Sequence, residues 1–161
     1  MQNFQIVITD DIVIHSNAST MIDSVFYLRT ENNVFPYEDW TDFSYPLLNM
    51  WCEDLMRMSP DQDEVCILPF MDGPYWLEVK RDGALYSFQG CSSRNDFKAG
   101  FAFRCSLEQF LLEILASYRR LVEILFQNNQ VCSSVRVEVK RSFQHYKKLI
   151  APTIAIGECY E

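Results

Sequence analysis

The stretch from Ser106 to Phe126 constrains the fold more than any other part of this 161-residue chain. Ser106 and Gln109 stand three apart, the spacing at which each side chain satisfies an orphan backbone N–H of the other at a helix start. Leu107, Phe110, Leu111, Ile114, Leu115, Tyr118, Leu121, Val122, Leu125 and Phe126 then recur at helical spacing as one broad apolar stripe. Glu108, Glu113, Arg119, Arg120 and Glu123 are expected to lie away from it. A stripe this wide needs a sheet or several helices to cover it. Asn128, Asn129 and Gln130 end the element.

Two further helices follow from the same kind of pattern. Val135, Val139, Phe143, Tyr146 and Ile150 are spaced by 4, 4, 3 and 4 residues, whereas Val135, Val137 and Val139 alone alternate as in a strand. The longer pattern predicts a helix from about Ser134 to Leu149, with Lys147 and Lys148 favourably placed at its C-terminal end and Pro152 as its stop. Leu47, Leu48, Trp51, Leu55 and Met58 predict a shorter helix that opens at Ser44 or Tyr45 and stops at Ser59 and Pro60. Pro46 is tolerated there because a first-turn N–H has no intrahelical partner to lose. Trp51, in the middle of that stripe, is expected in the core.

The remaining segments read as strands. They are Phe4–Thr9, Ile12–His15 after a turn at Asp10 and Asp11, Ser24–Arg29, Val65–Phe70, Tyr75–Lys80, Ala84–Gln89 and Phe97–Arg104. Asn32 and Asn33 mark a turn. Asp82-Gly83 between two alternating segments is the strongest hairpin signal, with Tyr75, Leu77 and Val79 on one face of the first arm. The sum is a single α+β domain over residues 1–161. It is expected to hold a mainly antiparallel sheet of five or six strands, packed against two long C-terminal helices and one shorter helix.

Twenty-two acidic against 14 basic residues leave a net charge of −8. That balance argues against a nucleic-acid partner, which demands a positive footprint, and against docking on an anionic membrane. No apolar run approaches the length of about 20 residues that spans a bilayer. The start, MQNFQIVITDD, lacks the basic and apolar regions of a secretory signal. Cys52, Cys66, Cys91, Cys105, Cys132 and Cys159 are widely spaced, and the chain is large enough to fold without cross-links. Reduced thiols and a cytoplasmic location are the expectation.

Known catalytic and metal signatures are absent from the sequence. It holds two histidines, His15 and His145, and no Cys-x-x-Cys, His-Glu-x-x-His, calcium-loop or glycine-rich phosphate motif. No cofactor and no metal are expected. Each histidine is read as structural or solvent-facing, for want of a nucleophile partner.

Charge is divided unevenly along the chain. Residues 1–64 carry 12 acidic and 2 basic side chains, and residues 65–161 carry 10 and 12. Within the acidic third, Phe35-Pro36-Tyr37-Glu38-Asp39-Trp40-Thr41-Asp42-Phe43 interleaves four aromatics with three carboxylates. Aromatic anchors ringed by charge build strong protein interfaces, and carboxylates steer a basic partner. Trp40 and Phe43 are expected to dock inward, Tyr37 to stay outside, and Asp42 to cap the turn entering the helix. The second compact feature is Met71-Asp72-Gly73-Pro74-Tyr75-Trp76. The candidate partner-binding residues are therefore Tyr37, Glu38, Asp39, Trp40, Asp42, Asp72 and Tyr75. The alternative is a hydrolase or other enzyme whose carboxylates, Asp39, Asp42 and Asp72, converge in one pocket with a raised pKa.

Phe35-Pro36-x-x-x-Trp40-x-Asp42-Phe43, Leu48-x-x-Trp51-x-x-x-Leu55 and Leu68-x-Phe70-Met71-Asp72-Gly73-Pro74-Tyr75 together resemble small bacterial immunity-type proteins of polymorphic or contact-dependent toxin systems. None of these segments is a catalytic signature. The resemblance implies an acidic α+β protein without enzymatic activity that binds and neutralises a cognate effector, here a basic toxin domain.

Overall fold

Eight strands and three helices follow one another in the computed structural model, which describes residues 3–14, 20–58, 64–94 and 100–157. The strands form two four-stranded sheets in which every pairing is antiparallel. In the first, β1 (Phe4–Ile14) pairs with β2 (Ile22–Thr30), and the short β3 (Val34–Phe35) and β4 (Thr41–Phe43) share the other edge of β2. Helix α1 (Ser44–Arg57) comes next in the chain. The second sheet is a meander of β5 (Val65–Pro69), β6 (Tyr75–Asp82), β7 (Leu85–Ser92) and β8 (Ala102–Cys105). Helices α2 (Leu107–Gln127) and α3 (Ser133–Gly157) complete the chain.

The α+β class with antiparallel strands and C-terminal helices is as the sequence predicts, but one sheet has become two. The helix between β4 and β5 separates the ladders. Rings bridge the gap. Phe4 of β1 stacks on Phe103 of β8 at 4.6 Å and on Phe110 of α2 at 5.3 Å, and Phe88 of β7 stacks on Phe110 at 4.4 Å. Phe35 of β3 lies so close to Gly90 of β7 that a Cβ there would sit 2.6 Å from its ring. Trp51 of α1 is fully buried, edge-on to Phe26 of the first sheet and to Phe70 beside the second. Its indole N–H donates to the Pro69 carbonyl at 2.8 Å. One hydrophobic cluster runs through both sheets and all three helices.

Asp10 and Asp11 do not end a strand. Ile8 pairs with Phe26 and Ile12 with Ser24, so Thr9, Asp10 and Asp11 stand opposite Val25 alone. A bulge absorbs the extra residues and lets both carboxylates stay exposed while β1 continues. The hairpin is present, centred one residue later than Asp82-Gly83. Asp82 pairs with Leu85, and Gly83 at φ +66° takes the first turn position, where a glycine meets no steric penalty. Phe101, Phe103 and Cys105 are buried together beside β7, while residues 97–99 of the expected strand lie outside the described residues.

Helix α2 opens with the expected reciprocal cap, Gln109 N–H to Ser106 Oγ and Ser106 N–H to Gln109 Oε1, each 3.1 Å. Three of its residues depart from the expected faces. Phe126 is 46% exposed, and Glu113 and Arg120 turn inward to β1. The ambiguous segment is helical: Val135, Val139, Tyr146 and Ile150 are buried, and Val137, which a strand would align with them, is exposed. Pro152 lies inside α3 and does not stop it. It is exposed, where water can serve the carbonyl it leaves unpaired, and Ile150 and Ile154 on either side pack on the core. Ser59 and Pro60 lie outside the described residues. Three tyrosine hydroxyls lock the helices together: Tyr45 to Ser142 Oγ at 2.8 Å, Tyr146 to Glu53 Oε1 at 2.7 Å, and Tyr118 to Asn49 Oδ1.

Candidate functional site

The middle residue of β4 organises the two segments singled out in the sequence. Asp42 is 1% exposed. Its Oδ1 accepts the Phe43 N–H at 2.7 Å, and its Oδ2 accepts the Met71 and Asp72 N–H groups at 3.0 and 3.2 Å and the Trp40 indole N–H at 3.3 Å. Successive main-chain N–H groups aimed at one oxygen form a concave anion seat, filled here by the protein's own carboxylate. Burial pushes the Asp42 carboxyl above its ordinary value, against the opposing pull of these four donors. The N-cap of α1 is Phe43, without a side-chain cap. Asp42 is therefore an internal tie between two loops rather than a helix cap or an exposed partner contact.

Three rings sit over this tie. Tyr37 and Trp40 meet edge-to-face at 5.1 Å, Trp40 and Tyr75 at 5.2 Å, and Tyr37 and Tyr75 at 6.2 Å. Such contacts stabilise beyond the area they bury. Tyr75 is only 6% exposed, so it supports the cluster from beneath and does not present a face of its own. Arg94 approaches its hydroxyl at 3.5 Å. Trp40 is half-buried, with its indole laid over Gly73. A Cβ at Gly73 would lie 2.8 Å from the Trp40 ring, and its φ of +130° is one that other residues rarely adopt. The loop between β3 and β4 is closed by the Trp40 N–H on the Tyr37 carbonyl at 3.3 Å, with Asp39 in the left-handed region at φ 60°. Asp tolerates that conformation better than most residues.

What faces outward is Tyr37, Glu38, Asp39, Met71 and Asp72. Tyr37 is 49% and Met71 46% exposed. Glu38 lies 3.7 Å from Arg29, both ends largely in solvent. Among the described residues, Asp39 and Asp72 have no ion pair. Sequence reasoning missed Met71, since a methionine beside a Gly-Pro turn carries no local signal of exposure. It also missed Arg29, which trims the negative charge at Glu38.

No family model matches the chain, and no curated protein or solved structure matches it. The chemistry of the site has to be read from its atoms. Asp42 touches Asp72 only through the latter's backbone, and its own oxygens are occupied by donors, so it has no face left for a substrate. Asp39 and Asp72 are exposed. No three His, Cys, Asp or Glu side chains converge as a metal site among the described residues. His145 is exposed on α3, and His15 lies outside the described residues. Burial pushes the Cys52 and Cys105 thiols up to about 12 and Cys66 up to about 11, which keeps them protonated. No helix among the described residues is long and apolar enough to cross a membrane.

Proposed function

We propose that this protein is a non-enzymatic binding protein that captures a basic protein partner through Tyr37, Glu38, Asp39, Met71 and Asp72, and that it serves as an immunity-type protein neutralising a cognate toxin in the cytoplasm. The observation that carries this reading is the double tie of the two loops. Asp42 holds them from within and the Tyr37–Trp40–Tyr75 cluster holds them from above, so Tyr37 and Met71 are presented on a rigid base. A rigid aromatic loses little conformational freedom on binding, which is how an anchor residue contributes most. The surrounding carboxylates attract a basic surface and discriminate against acidic ones. The free cysteines among the described residues suit a reducing compartment.

The test begins with affinity capture from the native host, using the full wild-type chain as bait. Association kinetics of the captured protein are then compared between wild type and a Glu38→Lys/Asp39→Lys/Asp72→Lys variant. A basic partner whose association slows about tenfold or more at low salt, with the melting curve unchanged, is the expected result. Unchanged kinetics in the variant would remove this surface from the reading. Co-expression with the partner checks the immunity role separately: the wild-type chain should relieve its toxicity and the triple variant should not.

A further inference from the structure

Helices α2 and α3 line a cleft of about 480 Å³ on a part of the molecule that the loop surface does not use. Its body is apolar, built from Leu112 and Leu115 on one wall and Phe143 and Ile154 on the other. Arg119 lines it from α2 and Lys147 from α3. Both are exposed, and neither has an ion-pair partner among the described residues. Among the described residues no carboxylate lines the cleft, although the chain as a whole carries a net charge of −8. The carboxylate nearest in sequence on α2, Glu113, is engaged by the Ile6 N–H and Arg120.

We propose that this cleft binds an anionic amphiphile, namely an alkyl carboxylate of medium chain length. The two cations line opposite walls of one cleft, an arrangement that fits one head group between them better than a row of acidic side chains along a single face. The volume falls in the range of about 300–1,000 Å³ typical of small-ligand sites. The four apolar side chains cover the tail, and their burial supplies the affinity. Arg119 and Lys147 select a carboxylate over a neutral head group.

Displacement of a dansyl-undecanoate probe from the full chain tests the proposal, with dodecanoate and dodecanol as competitors below their aggregation limits. Dodecanoate should displace the probe at a concentration about tenfold lower than dodecanol, the scale expected of two exposed cations. An Arg119→Gln/Lys147→Gln variant should lose that preference while keeping its affinity for dodecanol. Ala151→Trp, at an exposed position lining the cleft, should abolish binding of both with an unchanged melting curve. Failure of either competitor to displace the probe, equal displacement by both, or a preference that survives the double variant would overturn the proposal. So would a dimer in sedimentation velocity that Ala151→Trp dissociates, since the cleft would then belong to a second copy. Displacement by an acidic amphipathic peptide but not by dodecanoate has the same consequence.

Discussion

The side chain of Glu113 accepts the backbone N–H of Ile6 at 2.9 Å, so a helix carboxylate closes a hydrogen bond on the outer edge of β1. Arg120 donates to the Ile6 carbonyl at 2.7 Å and lies 3.8 Å from Glu113. Both main-chain groups of Ile6 are thereby taken, and the edge cannot template another strand at that point. Replacing Glu113 by alanine leaves a buried donor unpaired and should cost about 1–3 kcal/mol in urea unfolding. Glu113→Gln keeps an acceptor and should cost less.

The same residue predicts a pH dependence of definite sign. Burial raises the Glu113 pKa above its ordinary 4.5, more than the Ile6 N–H and Arg120 lower it. The folded state therefore holds the proton more readily than the unfolded chain. This contribution to stability is fully present below 4.5 and is lost as pH rises through the raised folded value. The unfolding free energy of wild type relative to Glu113→Gln should accordingly fall as pH is raised from 4.5. A relative stability that instead grows over that range would contradict the assignment.

Asp42 makes a separate prediction. Asp42→Ala removes both acceptor oxygens from three backbone donors and an indole, and should cost about 3 kcal/mol or more, well above the ~1 kcal/mol of a lost helix cap. Asp42→Asn should lose much of the same stability, because an amide N–H₂ in place of either oxygen points donor at donor. Chemical denaturation of both variants measures this. A loss near 1 kcal/mol for Asp42→Ala would show that the two loops are held by their rings alone.

Trp51 is fully buried between the two sheets. Trp51→Ala should cost about 3–5 kcal/mol through lost burial and the cavity left behind. Trp51→Phe keeps most of the ring contact but strips the donor from the Pro69 carbonyl, and should cost about 1–3 kcal/mol. Thermal unfolding followed by circular dichroism reads both.

The thiols should divide sharply under limited alkylation. Cys132 is exposed, and hydrogen bonds from Ser134, then other donors at the start of α3, lower its pKa. Cys52 and Cys105 are buried and pushed up to about 12. Mass spectrometry after brief iodoacetamide treatment near pH 8 should find Cys132 modified and Cys52 and Cys105 untouched until the chain is unfolded.

Local pattern determined much of this molecule. The capping box at Ser106, the stripe of α2, the 4-4-3-4 spacing in α3, the hairpin at Gly83 and the burial of Trp51 each rest on neighbours within a few turns or one strand pair, so the residues themselves carried them. Tertiary structure decided the rest, because the deciding partner is far away in sequence. Glu113 reads as an outer-face residue until Ile6, 107 positions earlier, offers an unpaired N–H. Asp42 reads as a cap on the turn entering the helix and a partner contact until the loop before β6 brings two N–H groups to it across about 30 residues. Pro152 reads as a stop until the packing of Ile150 and Ile154 outweighs one missing hydrogen bond. Two sheets in place of one follow from the same cause. Strand pairing and hydrophobic closure are long-range contacts, and periodicity records which face is buried without naming what buries it.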